Sequence, residues 1–236
     1  MKKPLMIAHR GYSRYEKENT LVAFSCAGNI EEFYGIETDV HVTTDNVYIT
    51  VHDETTNRIT NENTCIDVEK STFKEVSEVI LCDVDGNLRN DLRIPKMIDY
   101  FKICKKYNKV AVCELKQRFN ESQLKEILSI ITSLDMLQNT IFISFVIENL
   151  IDLKKIDNTL KAQFLTANFS DNLIETLLKY GLDLDIYHKA ISESQVKLCH
   201  DNNILVNVWT VDDIEAAKIY ASWGIDFITS NHLKEA

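Results

Sequence analysis

Short runs of β-branched and other apolar residues recur along this chain, and most are followed by a stretch of helical periodicity. That alternation constrains the fold more than any other feature. A strand that pairs parallel with its predecessor needs a long crossover, usually a helix, so the pattern reads as βα units of an α/β fold. Strands are expected at 5–9, 35–43, 47–52, 109–115, 140–145, 161–167, 183–187, 204–210 and 226–229. Amphipathic helices are expected at 20–30, 96–107, 121–134, 147–156, 171–180, 192–202 and 212–222. Setting 47–52 aside leaves eight strands, which suits a closed eight-stranded barrel, although a doubly wound open sheet produces similar spacing.

Residues 54–94 break the rhythm: they are rich in Asn, Asp, Glu and Thr and read as an inserted cap with a short helix near 72–80. No Pro/Ser-rich linker divides the 236 residues, so 1–236 is read as a single barrel domain carrying that insertion. Local signals agree. Asn19 or Thr20 can cap the first helix, and Asn120 or Ser122 the helix near 121. Gly181 and Gly224 sit just past two helix ends, and Pro95 fits a helix start.

The net charge is −10 with no basic block, which argues against a nucleic-acid partner. No run of about 18 apolar residues suggests a membrane span, and Met1-Lys2-Lys3-Pro4 does not read as a signal peptide. The six cysteines lack a C-x-x-C pair and are widely spaced, which favours reduced, mostly buried thiols and a cytoplasmic location. Nothing in the pattern specifies an oligomeric state.

Against this background, four polar clusters stand at or near strand tails: His9-Arg10-Gly11, Glu37-Thr38-Asp39, His52-Asp53 and Glu114-Leu115-Lys116. Alternate strand residues share a face, so Glu37, Asp39 and His41 point one way, as do Glu114 and Lys116, while Cys113 faces the helices. Inward charges are costly unless paired or metal-bound, and barrel active sites lie at the C-terminal rim. Glu37, Asp39 and Glu114 form an oxygen-rich trio suited to Mg²⁺ or Ca²⁺, and no His/Cys spacing favours zinc. His9 and His52 are candidate acid/base groups. Arg10 has a planar fork that matches phosphate oxygens, next to a glycine that permits close backbone approach, and Lys116 is a second phosphate contact. Phe145 and Trp209, at strand tails, are candidate pocket walls. His41, His188, His200 and His232 read as structural or surface residues. With Asp45-Asn46 as a two-residue turn, Asp39 falls directly opposite His52, a ligand beside an acid/base group.

The ordered set resembles the glycerophosphodiester phosphodiesterase family. It comprises His9-Arg10-Gly11, Glu18-Asn19-Thr20 with Ala23-Phe24, Glu37-x-Asp39-Val40, Thr44-Asp45, and His52-Asp53 with Arg58 and Thr60. The later half agrees through Ile94-Pro95, Glu114-Leu115-Lys116, Ser144-Phe145, Val208-Trp209-Thr210-Val211, Gly224-Ile225-Asp226 and Thr229-Ser230-Asn231. Lys17 stands where the family often has Pro, and Asn46 where it usually has Gly. The resemblance implies a TIM barrel with a small cap after the second strand. It implies hydrolysis of a small-molecule glycerophosphodiester to glycerol 3-phosphate and an alcohol. His9 and His52 would be the acid/base pair, Arg10 would hold phosphate, and Glu37, Asp39 and Glu114 would bind a divalent cation. Lys116 would support the substrate phosphate or a metal ligand. Two other readings compete: a lysophospholipase D-like lipid phosphodiesterase, marked by an apolar groove along Phe145, Tyr187 or Trp209, and a catalytically silent phosphate-binding module.

Overall fold

The computed structural model describes residues 3–236; Met1 and Lys2, part of the N-terminal segment read above, lie outside the described residues. The strands are β1 (Leu5–Ala8), β2 (Phe33–Val42), β3 (Tyr48–Thr50), β4 (Leu81–Cys82), β5 (Leu88–Arg89), β6 (Val110–Leu115), β7 (Thr140–Ser144), β8 (Lys161–Thr166), β9 (Asp183–Tyr187), β10 (Val206–Trp209) and β11 (Phe227–Ser230). The helices are α1 (Leu21–Gly28), α2 (Phe73–Glu78), α3 (Met97–Lys106), α4 (Glu121–Ser133), α5 (Ile147–Ile156), α6 (Leu173–Tyr180), α7 (Glu193–Asp201) and α8 (Ile214–Ser222).

Pairing runs β1-β2-β6-β7-β8-β9-β10-β11 and closes back on β1, with every one of these pairs parallel. This is the closed TIM barrel, not the open sheet. The alternation reads through to packing. The inner faces bury Ile7, Val112, Ile143 and Leu165 as one apolar cluster. The outer faces pack with the helices around Phe24, Tyr100, Ile127, Leu128, Leu150 and Val196. Cys113 belongs to that outer layer, as its parity requires. Tyr100 is fully buried there, and its hydroxyl donates to the carbonyls of Ile36 at 2.7 Å and Val112 at 3.2 Å, satisfying a polar group that burial would otherwise penalise.

Thr20, not Asn19, caps α1, and Asn120, not Ser122, caps α4 through a capping box with Gln123. Gly181 ends α6 in the left-handed conformation. The insertion has its own small core of Ile59, Val68, Val76, Val79, Leu81 and Leu92, closed against Ile49 and Val51. Its helix α2 starts with a Thr72/Glu75 capping box, where the sequence places a short helix.

The hairpin of β2 and β3 differs from expectation by one residue. Val40 pairs with Thr50, and the Val51 N–H donates to the Asp39 carbonyl at 3.0 Å, so Asp39 faces Val51 rather than His52. The physical reason is the turn. Asn46 takes φ +58°, which makes a three-residue connection, Thr44 to Asn46, in place of the two-residue turn. Among the described residues the cysteines are all free; Cys82, Cys104, Cys113 and Cys199 are buried, and Cys65 is exposed. Among the described residues no helix is long and apolar enough to cross a membrane.

Candidate active site

The C-terminal ends of the barrel strands bring His9, Arg10, Glu37, His52, Glu114, Lys116, Phe145 and Trp209 to one cavity, together with Ile143, Leu165, Asp185 and Thr229. A larger groove of about 470 Å³ lies by Leu21, Phe73, Ile94 and Lys102, and none of the candidate residues reaches it. Chemistry, not size, therefore marks the site.

Register places the acids. On the parallel pair β2 and β6, Asp39 is the direct neighbour of Glu114, and Glu37 lies two residues earlier on the same face. Each of Glu37, Asp39 and Glu114 offers an oxygen within 4.8 Å of the others, and all three are buried. Such crowding is electrostatically costly. Burial, then the charge of Asp39, pushes the Glu37 and Glu114 carboxyls above the usual range. Asp39 moves the other way: burial opposes ionisation, but the charges of Arg10 and Lys116 hold it well below. Arg10 Nε and Lys116 Nζ each stand 3.3 Å from Asp39, and Lys116 Nζ is 2.8 Å from Glu114. A divalent cation at the centre of this all-oxygen trio would remove the repulsion, so the donors fit a hard ion.

Both imidazoles are anchored through Nδ1. His9 Nδ1 lies 2.8 Å from Asn231 Oδ1, and Asn231 is held by Asp212. His52 Nδ1 lies 2.6 Å from Asp53 Oδ1. In the tautomer that lets Nδ1–H donate to these oxygens, Nε2 of each ring is free for proton transfer. Burial, then the neighbouring Arg10, lowers His9 from 6.5 to about 4. Burial also lowers His52, with the charge of Asp39 opposing.

The left-handed backbone of Arg10, φ +55°, turns its N–H onto Glu37 Oε2 at 2.8 Å. Such a conformation is uncommon for a side-chain-bearing residue and clusters at functional sites. Gly11 has a different role from the one expected of it. A Cβ there would stand 2.6 Å from the Ala23 backbone, so the glycine admits α1 rather than a ligand.

Several residues act in the site for which the sequence pointed to no role there. Asn19 donates to Asp39 Oδ2 at 2.7 Å and accepts from Thr38, which locks the β2 carboxylate. Arg58, from the insertion, bridges Asp53 and Glu18 at 2.7 Å each, and Glu18 in turn accepts from Arg10. Burial works against the Asp53 charge, yet Arg58 and His52 lower its pKa to about 2. A signal for these residues was present: Glu18, Asn19, Asp53, Arg58 and Asn231 all stand in the quoted pattern. His41, facing inward as expected, is satisfied by Glu69 at 2.7 Å and the His52 carbonyl at 3.3 Å. His188 and His200 bond Tyr220 and Asp226 away from the cavity.

At the rim, the Phe145 and Trp209 rings meet edge to face with centroids 5.7 Å apart, and Tyr187 lies 5.6 Å from Trp209. Phe145 is 48% exposed.

Comparison with known proteins agrees with this geometry. Residues 9–235 match the Glycerophosphoryl diester phosphodiesterase family. A glycerophosphodiester phosphodiesterase of Caldanaerobacter subterraneus subsp. tengcongensis is 28% identical over 97% of this chain and 94% of its own length. Among solved structures, an Oleispira antarctica phosphodiesterase in complex with the product sn-glycerol-3-phosphate superposes with a TM-score of 0.88 at 20% identity, covering 98% of this chain and 94% of that one. A glycerophosphodiester phosphodiesterase of Parabacteroides distasonis gives 0.80 at 25% identity, covering 98% and 94%.

Proposed function

The chain belongs to the glycerophosphoryl diester phosphodiesterase family, and from that premise we propose that it hydrolyses glycerophosphodiesters to glycerol 3-phosphate and an alcohol. One observation carries the reading: two Nδ1-anchored imidazoles share a cavity with Arg10, Lys116, Glu37 and Glu114, the last two belonging to a buried three-carboxylate cluster with Asp39.

A phosphodiester is anionic and repels nucleophiles. Arg10 and Lys116 line the cavity and would orient and neutralise its non-bridging oxygens. Glu37, Asp39 and Glu114 would hold Mg²⁺ or Ca²⁺, which when bound supplies further stabilisation of the charge that grows in the transition state. His9, paired with a neutral amide and depressed by burial, is the base: Nε2 takes the proton of the attacking hydroxyl, from water or from the glycerol 2-hydroxyl. His52 pairs with a carboxylate, which partly offsets the burial that lowers it and supports its imidazolium better than the neutral amide supports that of His9, so it is the acid that protonates the departing alkoxide. If attack is by the 2-hydroxyl, the two exchange roles as water opens the cyclic phosphate. The six unpaired thiols fit a reducing cytoplasm.

A second reading, a lysophospholipase D-like enzyme, draws on the half-exposed Phe145 beside Trp209, an apolar lip able to receive an acyl chain. Glycerophosphocholine and lysophosphatidylcholine assayed side by side separate the two. His9→Ala and His52→Ala should each lose about 10²–10⁴ in kcat on the preferred diester. Near-full activity in either variant would end the acid/base assignment, and absence of turnover in the wild type would leave a phosphate-binding module.

A further inference from the structure

Two buried polar atoms on the cavity wall have no hydrogen-bond partner: Asp185 Oδ1 on β9 and Trp209 Nε1 on β10. Orphaned groups of this kind are rare in native proteins and costly where they occur. Asp185 is 1% exposed and serves neither the carboxylate trio nor an ion pair. Both residues point into the barrel. Asp185 is the register neighbour of Asn207, and Trp209 stands two residues further toward the rim on the same face as Asn207. The separation along the strands is therefore about 7 Å, which suits a three-carbon polyol and the hydrogen bonds at its two ends.

One atom is an acceptor and the other a donor, and they face the cavity that holds His9, Arg10 and Lys116. Building on the glycerophosphodiester reading, we infer that Asp185 is a specificity-determining residue: its carboxyl, with the Trp209 indole N–H, grips the hydroxyls of the substrate's glycerol unit. Burial, then the charge of Glu114, raises the Asp185 pKa well above the usual range, with neighbouring Asn207 opposing. Its free carboxyl oxygen is an acceptor for an alcohol O–H. Ile143 and Leu165 on that wall are apolar, and the Thr229 hydroxyl donates to Asn207 Oδ1 at 3.2 Å, which leaves Asp185 Oδ1 and Trp209 Nε1 as the unpaired hydroxyl-reading contacts on that side. A site built to bond a hydroxyl rejects the analogue that lacks it, because its buried polar groups are then left unpaired.

The test compares sn-glycero-3-phosphocholine with its analogue lacking the sn-1 hydroxyl, which keeps the 2-hydroxyl. Wild-type enzyme should prefer the full glyceryl substrate about 10–100-fold in kcat/KM. Asp185→Leu and Asp185→Ala should compress that preference toward unity, mainly by weakening turnover of the full substrate. Calorimetric affinity for sn-glycerol 3-phosphate should fall in parallel, while affinity for inorganic phosphate holds. Should either Asp185 variant fail to fold, Trp209→Phe, which keeps an aromatic ring and removes the N–H, must show the same compression. Equal losses on both substrates, an unchanged preference, or a changed affinity for Mg²⁺ with selectivity intact would overturn the assignment. Wild-type enzyme inactive on both substrates would overturn the underlying reading and the assignment with it.

Discussion

His9 and Asn231, 222 residues apart in the chain, are joined by a 2.8 Å hydrogen bond from Nδ1 to Oδ1. Closure of the barrel, with β11 beside β1, brings them together. Asn231 is itself fixed by Asp212, so the ring that lines the cavity is held through two layers of side chains.

The first prediction follows from the neutrality of that partner. Replacing the amide with a carboxylate, Asn231→Asp, would stabilise the imidazolium and raise the His9 pKa. The acid limb of the kcat/KM profile should move to higher pH by about one unit or more. Asn231→Ala should instead lower kcat about 10-fold or more by freeing the ring. A pH–rate series on the three proteins checks both; an unmoved acid limb in Asn231→Asp would remove His9 as the base.

His9 also couples acidity to stability. The unfolded ring titrates at its ordinary 6.5 and the folded ring at about 4. Between these values the unfolded chain binds more protons, so acid destabilises the fold across that window, by at most about 3 kcal/mol for this group. Urea titrations between pH 4 and 7 should show a steeper loss in the wild type than in His9→Gln.

Two members of the carboxylate trio, Glu37 and Glu114, have the opposite sign. Glu37 and Glu114 titrate above their unfolded values, so without a cation the stability they contribute is present at low pH and lost as pH rises through their folded range. A divalent ion should reverse that loss, raising Tm more at pH 8 than at pH 5. Glu114→Gln without cation should be as stable as the wild type or more so at pH 8, and should lose most of the cation-induced rise. Scanning calorimetry with and without Ca²⁺ reads all of this.

Much of the architecture was legible because short apolar runs and amphipathic stretches alternate so regularly; β9 and α5 fall where periodicity puts them, at 183–187 and 147–156. The acids were legible for the same reason: strand parity alone aligns Glu37 with Asp39 and turns Glu114 away from Cys113. What escaped depends on relations that no local window contains. The left-handed Asn46 shifted the hairpin by one residue. The bond from Asn19 to Asp39 withdrew Asn19 from capping, and Thr20 took that place. Asp185 reads locally as one polar residue in a strand, and only barrel closure reveals that it faces the cavity of His9 and His52.

The measurement that bears most directly on the account is release of glycerol 3-phosphate from sn-glycero-3-phosphocholine by protein stripped with EDTA, before and after Mg²⁺ or Ca²⁺ is restored. Stripping should abolish release, and the added ion should return it. Release that continues unchanged after stripping would contradict the role given to Glu37, Asp39 and Glu114.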